Sequence, residues 1–489
     1  MSALRTLGVV GAGPMGAGIA QVGLTAGFRV VLHDLSADAM IRAATEIHSR
    51  LVRLEEKGQL AVGFAEEAKG RLQLAGELSA FAPCEVVIEA VIERLDVKQQ
   101  LFIDLEAVVA PEAMLATNTS SLSVAAIAAR CAHRQRVCGL HFFNPVPVMK
   151  LVEVIVAPAT SPEVVAFAEA VAKQLGKVSV TVKDAPGFLV NLQGRAYTLE
   201  ALAIVQERVA DPATVDRIMR DAGGFRMGPF ELMDLTGIDV NYAASSYIYD
   251  GYQNDPRLRT TTLHRLMSDA GLFGRKTGRG FFDYAESTAL PPPAAPEVRA
   301  TVCPRIVAPG SEWAPIMAIP GFEAGDDVSL IAPIGEDCAT ACVRLALSPA
   351  TTVAVDLTMA ERGHLTVMAA IGGGPAAAKV ADWLRGGGFT VEQIQDSPGF
   401  VLQRILAMVA NLGCELAQIG VAAPADIDLA MKLAQNYPMG PLEWADWLGL
   451  AKVYEIMRQL QAITGSDRYR PSLWLRRRAQ LGLSVHEVA

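Results

Sequence analysis

Two stretches of this chain repeat one another at a fixed spacing of 212 residues, and any fold it adopts must be built around that duplication. Asp184-Ala-Pro-Gly-Phe188 returns as Asp396-Ser-Pro-Gly-Phe400. Pro212, Asp216, Met227-Gly-Pro229, Glu231, Asp234 and Gly237 return as Pro424, Asp428, Met439-Gly-Pro441, Glu443, Asp446 and Gly449. Chance does not hold one ungapped register over so many positions. Both copies read as mainly helical, the first over residues 184–284 and the second over 394–489, with breaks where proline and glycine pairs interrupt the pattern. Between them, Leu290-Pro-Pro-Pro-Ala-Ala-Pro296 neither continues a helix nor pairs in a sheet, which assigns residues 285–300 to a linker.

Ahead of the first copy, residues 1–183 alternate short β-branched runs (4–10, 29–34, 86–90, 114–117, 137–141, 151–155 and 178–182) with helical patterns, the mark of an α/β sheet domain. Ahead of the second, residues 301–393 carry weaker strand signals at 329–334 and 352–357 and read as a shortened counterpart. Directly after the first strand comes Gly11-Ala-Gly13-Pro14-Met15-Gly16, then a helix of small residues. Gly11 permits the tight turn, Gly13 lets a pyrophosphate approach the backbone, and the helix N-terminus offers unpaired N–H groups to it. The second strand ends in Asp34, where a carboxylate accepts the adenosine ribose hydroxyls and repels a 2′-phosphate, favouring NAD over NADP. An empty sheet-to-helix turn is the bland alternative, and FAD the rival cofactor. The expected fold class is therefore α/β plus all-α: a Rossmann-like dinucleotide-binding domain, a helical domain, a reduced Rossmann-like domain without the nucleotide motif, and a second helical domain.

Composition narrows the partners. The formal net charge is −9, so the overall field recruits neither nucleic acid nor an anionic membrane. No stretch is apolar for the ~18 residues that a membrane span needs, and the cytoplasm is the expected location. Seven cysteines lack zinc-type spacing and read as reduced thiols, so no metal is expected.

Three segments stand at or beside strand ends, where an open α/β sheet places its ligands: Ala116-Thr-Asn118-Thr-Ser120-Ser121, Gly139-Leu-His141-Phe-Phe-Asn144-Pro145 and Met149-Lys-Leu-Val-Glu153-Val-Ile155. Alcohol oxidation by NAD needs a base for the hydroxyl proton while hydride leaves the same carbon, and neutral imidazole suits that task near pH 7. His141 is the candidate base. Glu153, if its strand lies beside that of His141, would fix the tautomer and stabilise the imidazolium. Ser120 and Asn191 would hold the substrate oxygen. Taken singly, His141 is more often a structural histidine, Glu153 a solvated strand residue, and Ser120 and Asn191 turn or cap residues. Only their combination behind a dinucleotide site favours chemistry.

These segments, with Asp184-Ala-Pro-Gly-Phe-Leu-Val-Asn191 and Gly274-Arg-Lys276-Thr-Gly278, closely resemble the 3-hydroxyacyl-CoA dehydrogenase family across residues 1–284. The resemblance implies NAD-dependent oxidation of (S)-3-hydroxyacyl-CoA to 3-oxoacyl-CoA, with His141 as the base paired to Glu153 and Ser120 and Asn191 on the substrate. It puts Asp34, Glu93, Lys98, Asn118, Asn144 and Lys276, along with Ser120, around the cofactor. The duplication looks like the long bacterial form, associated with phenylacetate or short-chain hydroxyacyl-CoA metabolism, for which a 3-hydroxybutyryl or 3-hydroxyadipyl group is expected. Two-domain relatives pair through their helical domains, so the second copy would take a partner's place within the chain; a homo-oligomer is also open. One departure is Leu192, where the family commonly has arginine. In the second copy Gln403 stands where the first has Asn191, so one active site per chain is expected.

Arg50, Arg53 and Lys57, spaced i, i+3 and i+7, would meet CoA phosphates or simply form a solvated face. Two rival functions remain at this level. One is a related dehydrogenase of a small hydroxy acid or sugar acid; the other is a catalytically silent NAD-binding protein.

Overall fold

A computed structural model of the chain describes residues 6–284 and 302–487; the proline-rich segment read as a linker lies outside the described residues. The chain divides into two compact units, one running to Val190 and including Gly420–Gln435, the other formed by Asn191–Ile419 and the residues from Asn436 onward.

The first unit is built on eight strands: β1 (Thr6–Val10), β2 (Arg29–His33), β3 (Leu72–Ala75), β4 (Val86–Glu89), β5 (Met114–Thr117), β6 (Val137–Phe142), β7 (Leu151–Val156) and β8 (Val178–Lys183). Their order is β3-β2-β1-β4-β5-β6-β7-β8, so the chain reverses its direction of travel between β1 and β4, where an open sheet leaves a crevice for ligands. Strands β1, β4, β5 and β6 are buried along their whole length, which is why they read as continuous apolar runs rather than alternating ones. The helix Pro14–Thr25 lies close against the sheet through its glycines: a methyl group on Gly23 would come within 2.6 Å of Leu7 and one on Gly18 within 2.8 Å of Val146. All neighbouring strands run parallel except β6 and β7.

In the second unit a smaller sheet of β9 (Pro304–Ile306), β10 (Val328–Ile331), β11 (Thr352–Asp356), β12 (His364–Met368) and β13 (Thr390–Gln393) has the order β13-β12-β11-β10-β9. It too is parallel except at one pair, β11 with β12. That arrangement reproduces β4 to β8, and among the described residues it has no counterpart of β1 to β3, the part that carries the glycine turn.

The residues recovered at the 212-residue spacing are the polar joints of each copy. Asp184 caps the helix Val124–Ala128, accepting from the Ser123 hydroxyl at 2.9 Å and the amides of Val124 and Ala125 at 3.1 and 2.8 Å. Asp396 caps the helix Cys338–Leu345 through the amides of Cys338 and Ala339 at 2.6 and 3.0 Å. Asp234 holds the amides of Phe281 and Phe282, and Asp446 holds that of Val485 and the Ser484 hydroxyl. Even the backbone repeats: Gly187 and Phe188 have φ of 76° and 48°, Gly399 and Phe400 of 71° and 51°. A bulky residue rarely adopts that conformation, so both copies hold the same strained turn.

The copies also exchange partners. In the first unit the amide of Lys183, at the end of β8, donates to the carbonyl of Val421 at 2.8 Å, and the second copy's helix Pro424–Gln435 packs against β7 and β8. In the second unit the amide of Gln395 donates to the carbonyl of Val209 at 2.9 Å, and Arg217 of the first copy pairs with Glu392 on β13 at 2.6 Å. These two backbone bonds join equivalent positions in opposite directions.

Within the second unit the copies meet along the helices Val190–Gln206 and Leu402–Gln418. Arg404, fully buried, donates to Oε1 of Glu200 at 2.5 Å and to Glu207 at 2.7 Å, while the Tyr469 hydroxyl donates to the same Glu200 oxygen at 2.9 Å and Arg468 to Oε2 at 2.8 Å. Arg404 is the counterpart of Leu192, and Glu200 that of Leu412. The arginine missing from the first copy therefore stands in the second, and the ion pair's symmetry mate is two buried leucines. Arg404→Leu leaves Glu200 buried beside one arginine instead of two, and we expect a loss of about 3 kcal/mol in denaturant unfolding. A loss below ~1 kcal/mol would mean that Arg468 alone neutralises Glu200.

Candidate active site

The glycine turn after β1 leaves room where a dinucleotide needs it. Gly11 has φ 105° and its amide donates to the carbonyl of His33 at 2.8 Å, so the turn is tied to the end of β2. A methyl on Gly16 would collide with the carbonyl of Gly11, whereas one on Gly13 would meet nothing within 4 Å. Gly13 thus fronts open space at the start of the helix Pro14–Thr25, which has no side-chain cap. Pro14 and Met15 occupy its first turn. Asp34 anchors the same turn: one carboxylate oxygen accepts from the Ala12 amide at 2.8 Å and the other from Ser36 at 2.9 Å. A ligand's helix-end phosphates and a ribose beside Asp34 fit this cradle.

Along the strand ends toward β5, a polar network floors the crevice. Glu89, fully buried at the end of β4, accepts from Lys98 at 2.6 Å, the Thr117 hydroxyl at 2.7 Å and the Val91 amide at 2.7 Å. Lys98 also reaches Glu93 at 3.2 Å. Glu93 in turn collects the Thr119 hydroxyl at 2.6 Å, the Ser121 hydroxyl at 2.9 Å and the amides of Ser120 and Ser121 at 3.0 and 3.1 Å. Burial alone would raise the Glu93 pKa, but the Thr119 hydroxyl, the Lys98 charge and Ser121 hold it down at about 2. Lys98 is only 1% exposed, so it acts on this crevice through Glu93. The Ser120 side chain is exposed, while the Asn118 side-chain oxygen accepts from the Phe142 amide at 2.8 Å, bridging the ends of β5 and β6.

His141 and Glu153 stand directly opposite one another in the β6/β7 pair. Nδ1 of His141 lies 2.6 Å from Oε2 of Glu153. Glu153 has no exposed surface, and its Oε1 accepts from the amides of Leu189 and Val190 at 3.1 and 2.9 Å. The imidazole is flanked by the rings of Phe143 at 4.6 Å and Phe188 at 5.7 Å. Engaging Nδ1 leaves Nε2 as the ring nitrogen outside this contact.

Asn144 is exposed just beyond β6. Arg50, Arg53 and Lys57 are exposed at the end of the helix Ala37–Glu56, with Arg50 bonded to Glu46 at 3.0 Å. The remaining two sequence-selected residues belong to the second unit. Asn191 is half-buried at the start of its long helix, and Lys276 is paired with Asp239 and lies 5.1 Å from the centre of the Phe273 ring. Sequence reading missed Glu89, Thr117 and Thr119; an acid closing an otherwise apolar strand, as in Val86-Val-Ile-Glu89, was the available signal.

In the second copy the equivalent place is filled. Gln403, aligned with Asn191, is buried, accepting from the Gly335 amide at 3.0 Å and donating to Asp356 at 3.1 Å. Strand β11, the counterpart of β6, ends in Asp356 and holds no histidine.

Comparison with known proteins identifies the family of the chain. Residues 6–185 match the family described as "3-hydroxyacyl-CoA dehydrogenase, NAD binding domain". Residues 187–284 and again 399–486 match "3-hydroxyacyl-CoA dehydrogenase, C-terminal domain". The chain belongs to the 3-hydroxyacyl-CoA dehydrogenase family. The dehydrogenase is 40% identical to the 3-hydroxyadipyl-CoA dehydrogenase of Escherichia coli K12, covering 98% of each chain. A crystal structure of a 3-hydroxybutyryl-CoA dehydrogenase from Escherichia coli K12 superposes with a TM-score of 0.90 at 38% identity, covering 98% of this chain and 99% of that one. A probable 3-hydroxybutyryl-CoA dehydrogenase of Deinococcus radiodurans is 40% identical but covers 57% of this chain and 99% of its own length. The dehydrogenase is thus an NAD-dependent oxidoreductase. Among the described residues no helix is long and apolar enough to cross a membrane.

Because the space over Gly13 is open, Gly13→Ala should leave stability within ~0.5 kcal/mol of the parent. NADH affinity, followed by fluorescence titration, should fall by about tenfold or more because the methyl enters the pyrophosphate's approach. Unchanged affinity would remove the turn from the binding site.

Proposed function

We propose that this dehydrogenase converts a 3-hydroxyacyl-CoA to the 3-oxoacyl-CoA with His141 as general base. Bound NAD supplies the hydride acceptor. Nε2 of His141 takes the hydroxyl proton as the hydride departs from C3, leaving a carbonyl. Glu153 keeps the other imidazole proton on Nδ1 and stabilises the imidazolium, a role supported by the 2.6 Å contact and by the two backbone amides that saturate its second oxygen. That contact is the observation carrying the reading. A solvated strand glutamate would have neither the burial nor the three donors.

Ser120 and Asn191 hold the substrate oxygen in this reading, and Asp34 selects NAD by accepting ribose hydroxyls. Glu93, with Lys98 behind it, shapes the loop 118–121 beside the cofactor, and Asn144 and Lys276 complete its surroundings. Arg50, Arg53 and Lys57 offer exposed cations to CoA phosphates. The favoured acyl groups are short-chain or dicarboxylic, 3-hydroxybutyryl or 3-hydroxyadipyl, which the names of the similar proteins support. The second helical copy stands in for a partner subunit, a reading supported by the reciprocal Lys183–Val421 and Gln395–Val209 bonds.

The test is NADH consumption with acetoacetyl-CoA, run beside NADPH and beside His141→Ala. We expect loss of the base to cost about 10²- to 10⁴-fold in rate and NADPH to be used far more slowly. Activity that survives His141→Ala would overturn the mechanism. Silence with acetoacetyl-CoA and with longer and dicarboxylic 3-oxoacyl-CoAs would overturn the substrate class.

A further inference from the structure

Five arginines are buried among the described residues: Arg136, Arg195, Arg257, Arg404 and Arg468. Four have a carboxylate at hand, Arg136 with Glu106 at 3.6 Å, Arg257 with Glu415 at 2.9 Å, and Arg404 and Arg468 with Glu200 at 2.5 and 2.8 Å. Arg195 has none. Its Nε donates to the Asn191 carbonyl at 3.1 Å and its Nη1 to the Ser245 hydroxyl at 2.9 Å and the Asn241 carbonyl at 3.3 Å, all neutral acceptors. Nη2 makes no hydrogen bond among the described residues. Burial draws the guanidinium pKa down to about 10, still far above neutrality, so the charge persists in a poorly hydrated place. A buried cation without a counter-charge is unfavourable, and an anionic group on a ligand would relieve that cost.

Two further observations say where that ligand ends. Tyr437, near enough to interact electrostatically with Arg195, has a buried hydroxyl without a partner. His264, also close to Arg195, is kept neutral, its pKa lowered to about 4 by burial first and by the arginine's charge second, so the arginine remains the only cation of the cluster near pH 7. Arg195 also follows Asn191 by four residues on the helix Val190–Gln206, which puts both on one face about 6 Å apart along the axis. In a six-carbon acyl chain a terminal carboxylate lies three C–C bonds of ~1.5 Å, and hence about 4 to 5 Å, beyond C3. The spans match. Arg226, another cation of this copy, is exposed and solvated.

We propose that Arg195 is the specificity residue for the far end of the acyl chain, pairing with a terminal carboxylate near C6 and making the dehydrogenase selective for short dicarboxylic 3-hydroxyacyl-CoAs. This rests on the reading of Asn191 as the residue that holds the substrate oxygen. A tail ending in methyl would leave the guanidinium unpaired.

The experiment compares 3-hydroxyadipyl-CoA with 3-hydroxyhexanoyl-CoA, equal in carbon number and differing in the terminal charge. Wild-type kcat/KM should favour the dicarboxylic substrate by about 30- to 100-fold, the scale of a charge-assisted pair. Arg195→Met should abolish or reverse that preference, and Arg195→Lys should keep part of it. Calorimetric titration with adipyl-CoA and hexanoyl-CoA, which lack the reacting hydroxyl, should show the same preference in affinity. Because Arg195 also ties two helices together, the wild-type ratio and the affinity ratio decide the matter even where a variant is unstable. A wild-type preference below about threefold, or an Arg195→Met loss that is equal for both substrates, would overturn the proposal while leaving the dehydrogenase reading intact. Absence of turnover with either substrate would overturn both.

Discussion

A single fully buried carboxylate, Glu153, ties together the strand ends of the first unit. One of its oxygens faces Nδ1 of His141, and the other takes the amides of Leu189 and Val190, which open the long helix that follows β8. An ionised carboxylate without solvent survives only when donors surround it. The donors come from two places that the sequence separates by dozens of residues, so the acid locks the imidazole and the sheet-to-helix turn at once. The antiparallel β6/β7 pair makes this possible. Directly opposed residues of such a pair have Cβ atoms about 5 Å apart on one face, close enough for imidazole and carboxylate to meet. The strained Gly187–Phe188 turn, a form the second copy shares without the acid, here precedes the two amides that reach Glu153 and sets the Phe188 ring beside His141.

Much of this was legible in the residues themselves. The glycine turn and Asp34 announce themselves because few other residue types satisfy a crowded turn and a ribose-facing strand end. The α/β character of residues 6–183 follows from runs long enough to show burial. Strands β3, β9, β12 and β13 escaped detection for a physical reason. They are short, and β3, β9 and β13 lie at sheet edges where polar residues such as Gln73 and Arg305 interrupt the pattern, while β12 alternates around His364 and Thr366. Leu192 was visible as a departure from the family, but its explanation is tertiary: the guanidinium that holds Glu200 comes from Arg404, and only packing reveals that one member of a symmetric pair of positions suffices. The network beneath the loop 118–121 was half legible. Ser120 and Asn118 stood out by motif, while Glu89 passed for an ordinary strand residue.

The repeated aspartates show what duplication preserves. Asp184 and Asp396 cap helices at matching places, and Asp234 and Asp446 each gather a returning segment, so both copies keep the joints that make a helical repeat self-consistent. What the second copy has shed is chemistry. Among the described residues its sheet has no strand that bears a glycine turn, and Gln403 commits its amide to Gly335 and Asp356, where the first copy keeps Asn191 half-buried. The extra methylene of glutamine turns a residue aligned with a candidate ligand contact into a plug.

The union of the helical copies through Arg404 and Glu200 has a consequence for how the protein behaves at low abundance. Two separate chains joined by such a face would part on dilution, since a dimer's stability depends on how much protein is present. With both halves on one polypeptide, each meets the other at an effective concentration that does not depend on how much protein is present. A cell can hold a few copies of this dehydrogenase and still have every helical repeat paired.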